Sequence, residues 1–135
     1  PFINQDVDLS RIKEESFCRN GDIIFADASE DLLDIFLALT SSGPAIIALI
    51  IEALSDGGLT GGLQKKLSEE LVMEMISGTI SLIKDTNITT AELKNMVTSP
   101  GGTTISALRV LENRSLRSAL IEAVVSASNR SKEFR

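Results

Sequence analysis

The stretch VTSPGGTTISALRVL, Val97–Leu111, ends one helix and begins another. Ahead of it, Thr89 and Glu92 have the spacing of a capping box, which predicts a helix running through Val97. Ser99-Pro100-Gly101-Gly102 breaks that helix, because proline lacks an amide hydrogen and glycine supplies turn conformations. Thr103 or Thr104 then caps a helix from Ile105 to about Glu112. On the C-terminal side Ser115 starts the last helix, in which Leu116, Ala119, Leu120, Ala123, Val124 and Ala127 follow the i, i+3, i+4, i+7 rule.

The same signals recur on the N-terminal side. Ser29 is placed to cap a helix whose first turn holds Glu30 and Asp31, where the helix dipole favours acids. Leu32, Leu33, Phe36, Leu37 and Leu39 form its apolar face. Thr40-Ser41-Ser42-Gly43-Pro44 is expected to stop this helix and start the next, with Pro44 at a first helical position. AIIALIIEAL, Ala45–Leu54, is apolar nearly all round and is therefore expected to be central. Asp56-Gly57-Gly58 is expected to end it. A long helix follows, about Gln64 to Lys84, with Leu67, Leu71 and Met75 in one stripe and Val72, Ile76, Ile80 and Ile83 beside it. Gly78 interrupts this helix at a cost of about 1 kcal/mol against Ala; close approach of another helix would offset it, and tolerated drift is the alternative.

Before these helices, DIIFA, Asp22–Ala26, reads as one short strand. The expected fold is all-α, about six helices with that single strand. Residues 1–28 form a lead-in segment and residues 29–135 the helical domain. A chain of 135 residues suits one such domain. Its aromatics are all Phe, so the core must be aliphatic. The positive mean hydropathy points to apolar surface covered by a partner, and the expectation is a homodimer.

Charge and composition exclude several classes of function. The acid excess lies wholly in residues 1–34, and no basic stripe with interleaved aromatics exists, which argues against nucleic acid. There is no His and a single Cys, Cys18, so His-based catalysis and metal binding have no support. The lone Cys fits a reducing, cytoplasmic setting. The longest apolar run, Ala45–Ile51, is far short of the roughly 20 residues that span a membrane.

Chemistry centres on SPGGTT, Ser99–Thr104. Two glycines permit a sharp turn and close approach of a ligand. The helix that follows presents amides without internal partners at the positive end of its dipole. Such a place suits a carboxylate or phosphate. A plain helix–helix turn with a Thr cap accounts for the same residues and stays open. TSSGPA, Thr40–Ala45, is similar in kind and reads more simply as a tight turn. GGLTGG, Gly57–Gly62, lies between helices and fails the strand–turn–helix test for a phosphate loop. Glu69, Glu70 and Glu74 belong to a solvated face, while Glu52 and Asp56 are either paired or turned to a cavity.

The order of these motifs resembles a known family. LTSSGPA (Leu39–Ala45), IEALSDGGLTGGL (Ile51–Leu63), a long helix, VTSPGGTTISALRVLE (Val97–Glu112) and ALIEAVVSASNRSKE (Ala119–Glu133) resemble the dimerisation domain of pyrroline-5-carboxylate reductases throughout residues 20–135. GDIIFADASEDLLD, Gly21–Asp34, is similar to that family's strand and following helix. The resemblance implies an intertwined helical dimer, or a higher oligomer, whose parent enzyme reduces 1-pyrroline-5-carboxylate to L-proline. NADPH or NADH would be the reductant, bound by a nucleotide domain absent from this chain. It implies that backbone amides of Gly102, Thr103 and Thr104 bind the substrate carboxylate and that the Thr104 hydroxyl meets the ring nitrogen. The short apolar runs leave no membrane partner expected. Two positions depart from the family: Ser41 stands where it usually has Gly, and Gln64 near where it usually has Pro. A separate subunit and a non-catalytic helical homodimer are the alternatives.

Overall fold

The computed structural model describes residues 32–133. The expected strand at Asp22–Ala26 and the Ser29 cap lie outside them. Among the described residues the regular structure is helical throughout. The elements are α1 (Leu33–Leu37), a π-helical turn (Ala38–Ser42), α2 (Gly43–Thr60), α3 (Lys65–Thr86), α4 (Thr90–Met96), α5 (Thr103–Asn113) and α6 (Leu116–Lys132). They fall into two compact units. One holds α1, the π turn and the end of α6 from Val124; the other is Gly43–Ala123.

Thr40–Pro44 does not stop a helix, contrary to the sequence reading. Leu33–Thr60 is helical without interruption. Proline at position 44 has no amide hydrogen, and in a regular helix its ring would press on the carbonyl four residues earlier. The π turn directly before α2 absorbs that misfit, as single π turns inside helices do. The Thr40 hydroxyl donates to the Phe36 carbonyl at 2.9 Å, which keeps the polar side chain satisfied within the turn.

Asp56-Gly57-Gly58 is likewise not a stop. α2 continues to Thr60 and closes in a Schellman motif. Gly62 adopts φ +100° and donates to the Leu59 carbonyl at 2.9 Å, and Leu63 donates to the Gly58 carbonyl at 3.0 Å. Gly58 serves packing instead. A Cβ there would collide with Ser68 Oγ and lie 3.2 Å from Ser68 Cβ. Ser68 is 2% exposed, and its hydroxyl donates to the Ser55 carbonyl at 2.7 Å. Ser55 in turn donates to the Ile51 carbonyl at 2.7 Å. Small residues and two satisfied hydroxyls thus let α2 and α3 pack as an antiparallel hairpin at close range.

α3 begins after Gln64 and ends at Asn87, which sits in the left-handed region at φ 59° and donates to the Ile83 carbonyl at 3.0 Å. The close approach expected at Gly78 is not made within this chain: a Cβ there would meet open space. α4 carries the expected capping box, with Glu92 N–H donating to Thr89 Oγ1 at 3.2 Å and Thr89 N–H donating to Glu92 Oε2 at 2.8 Å.

Nor is α2 central within one chain. Among the described residues Ala38 is the buried hydrophobic side chain, while Leu49 is 64% exposed, Leu71 51% and Val110 56%. A single helical hairpin has one inner seam, and helices apolar on several faces leave the others uncovered. The uninterrupted Leu33–Thr60 helix is also long and apolar enough to cross a membrane by length and composition. The run Ala45–Ile51 is only the longest unbroken apolar stretch of this helix, so its length understates the apolar span.

Candidate functional site

The segment Ser99–Thr104 is held from both ends. On the α4 side, Val97 donates to the Leu93 carbonyl at 3.2 Å and Thr98 donates to Asn95 at 3.2 Å. The Thr98 hydroxyl also reaches the Lys94 carbonyl at 2.6 Å. The capping box anchors the other end of α4. There the Thr89 backbone N–H and hydroxyl donate to the Glu92 carboxylate and hold its pKa below the ordinary glutamate range.

Between α4 and α5 the chain makes one tight turn. Gly102 donates to the Ser99 carbonyl at 3.1 Å, with Pro100 and Gly101 as the two central residues. Gly101 has φ +68°, and proline followed by a left-handed glycine is the pattern of a type II turn. Gly102 follows in an extended conformation, φ −78° and ψ 179°. A Cβ on Gly102 would run into Ser99 Oγ and sit 3.3 Å from the Ser99 carbonyl oxygen. Gly101 thus suits the turn by its backbone angle, whereas a side chain at Gly102 would require the Ser99 hydroxyl to rotate and the turn to give slightly.

The helix cap differs from the sequence expectation. Gly102 is the N-cap and α5 begins at Thr103, so neither Thr103 nor Thr104 caps it and no side chain does. The extended angles end at Gly102, which brings both threonines into the first helical turn. The first ladder bond runs from Ser106 to the Gly102 carbonyl at 3.4 Å. The amides of Thr103, Thr104 and Ile105 consequently have no partner within the helix. The Gly102 amide is not among them, because the turn already uses it. The sequence expectation placed the helix start two residues late, and the family resemblance named Gly102, Thr103 and Thr104 where the helix start adds Ile105. Thr104 is half-buried and Thr103 exposed, both adjoining this open helix end.

The other candidates do not converge on it. The Thr40 hydroxyl is taken up inside the π turn. In Gly57–Gly62 the Gly61 amide donates to Gly57 at 3.0 Å and the Gly62 amide to Leu59, so these groups close a helix rather than cradle an anion. Glu52 and Asp56 are exposed on α2. Glu69 and Glu70 stand 3.9 Å from Lys65 and Lys66 respectively on a solvated face.

Residues 30–134 match the family described as pyrroline-5-carboxylate reductase dimerisation. The chain is 44% identical over 118 residues to a pyrroline-5-carboxylate reductase of Synechocystis, covering 87% of this chain and 43% of that protein. It is 44% identical over 107 residues to the soybean (Glycine max) pyrroline-5-carboxylate reductase, covering 79% of this chain and 39% of the relative. Among solved structures, the Plasmodium falciparum pyrroline carboxylate reductase with NADP bound aligns with a TM-score of 0.76 at 36% identity, over 78% of this chain and 40% of that one. A Coxiella burnetii pyrroline-5-carboxylate reductase aligns with a TM-score of 0.75 at 42% identity, over 78% and 39%. The chain thus spans about two fifths of the length of the relatives it matches. The α2–α3 hairpin, the proline–glycine turn and the match across residues 30–134 together assign this chain to the pyrroline-5-carboxylate reductase dimerisation family.

Proposed function

We propose that this chain is the dimerisation and substrate-binding part of a pyrroline-5-carboxylate reductase. In this reading, the Thr103, Thr104 and Ile105 amides receive the carboxylate of 1-pyrroline-5-carboxylate or L-proline. The observation that carries it is the uncapped start of α5 behind the Ser99–Gly102 turn. An anion there gains typically 0.3–1 kcal/mol from the helix dipole, and up to about 2 in partly buried geometry. Charge-assisted bonds from the amides add roughly 1.5–3 kcal/mol each before the costs of association. The Thr104 hydroxyl would meet the ring nitrogen.

The relatives' activity implies a nicotinamide cofactor, NADPH or NADH. The described residues do not fit one: they hold no strand–turn–helix, and Gly57–Gly62 spends its amides closing α2. The share of this chain in the reaction is therefore to bind and orient substrate and to join protomers, in a cytoplasmic setting. Titration of the isotopically labelled chain with L-proline tests this by NMR. Saturable shifts centred on the Thr103, Thr104 and Ile105 amides are expected. Shifts elsewhere, or none at tens of millimolar proline, would leave only the dimerisation role.

A further inference from the structure

We draw no further inference here: the strongest candidate, the exposed apolar stripe of α3 through Leu67, Leu71 and Met75, restates the dimerisation that defines the family to which the chain belongs.

Discussion

Replacing Gly58 with alanine sets two effects of opposite sign against each other. Gly58 lies inside α2, where helix propensity alone favours alanine by about 1 kcal/mol. The added methyl, however, would strike Ser68 Oγ and press on Ser68 Cβ at 3.2 Å. The Ser68 hydroxyl cannot simply swing aside. It is buried and bonded to the Ser55 carbonyl, and leaving it unsatisfied costs about 1–3 kcal/mol. Moving the hairpin apart instead incurs an overpacking cost of about 1–3 kcal/mol, plus whatever contact is lost along the seam. Sterics therefore win, and Gly58→Ala is expected to destabilise by about 1–2 kcal/mol net, or several degrees in Tm. Thermal unfolding followed by circular dichroism, at one fixed protomer concentration, measures it. Gly57→Ala is the internal control, because a Cβ at Gly57 meets nothing within 4 Å in the chain. Pairing Gly58→Ala with Ser68→Ala removes the clashing oxygen and should recover part of the loss. A Gly58→Ala protein as stable as the parent would refute the close-packed hairpin.

Removing the capping box by Thr89→Ala should cost about 1 kcal/mol, read as a lower urea midpoint. Because folding lowers the Glu92 pKa, the stability it lends is complete above the unfolded glutamate pKa and disappears as pH falls through the folded value. Glu92→Gln should accordingly flatten the acid limb of a stability–pH profile, and an unchanged limb would contradict the box. In a full-length reductase carrying this segment, Thr104→Ala should reduce kcat/KM by up to about tenfold, the worth of one hydrogen bond, with Tm nearly unchanged. Unaltered kinetics would remove Thr104 from the site. Leu71→Lys should shift sedimentation toward monomer, since its side chain is half exposed in one chain and needs a partner's cover; an unshifted dimer at micromolar concentration would place the interface elsewhere.

The helices were legible from hydrophobic period and capping residues, and the box at Thr89–Glu92 was readable to the residue. The turn chemistry of Ser99–Gly102 was legible too, since proline and glycine act locally. What misled was the use of breakers as stops. Pro44 and Gly58 both lie inside helices, one accommodated by a π turn and the other by a neighbouring helix pressed against it. Breaker identity reveals neither compensation: the first depends on how the preceding turn widens, the second on Ser68 in another helix. The site suffered from the same limit. Whether Gly102 or a threonine caps α5 depends on backbone angles that small polar residues share, and the shift altered which amides stand open.

The uncovered apolar surface must be answered by something, and magnitudes discriminate between the candidates. A fully buried Leu, Ile or Met contributes roughly 1.5–3 kcal/mol. Ile47, Leu49, Leu54 and Leu59 on α2, with Leu67, Leu71, Met73, Met75, Ile80 and Leu82 on α3, are each about half exposed. Covering them on both copies of a dimer is worth on the order of 20 kcal/mol, above the roughly 4–15 kcal/mol estimated for bringing two molecules together. The α2–α3 surface of two copies therefore outweighs that cost, and Val110 and Ile121 on later helices add further exposed apolar area. A bilayer covers only helices of spanning length and composition. Among the described residues one helix, Leu33–Thr60, has the length and composition to enter it. The stripes on α3, α5 and α6 lie beside Glu70, Glu74, Arg109 and Arg117 and would remain in water. A second copy carries the same apolar helices with the same charged borders, and so offers each stripe a surface of matching chemistry.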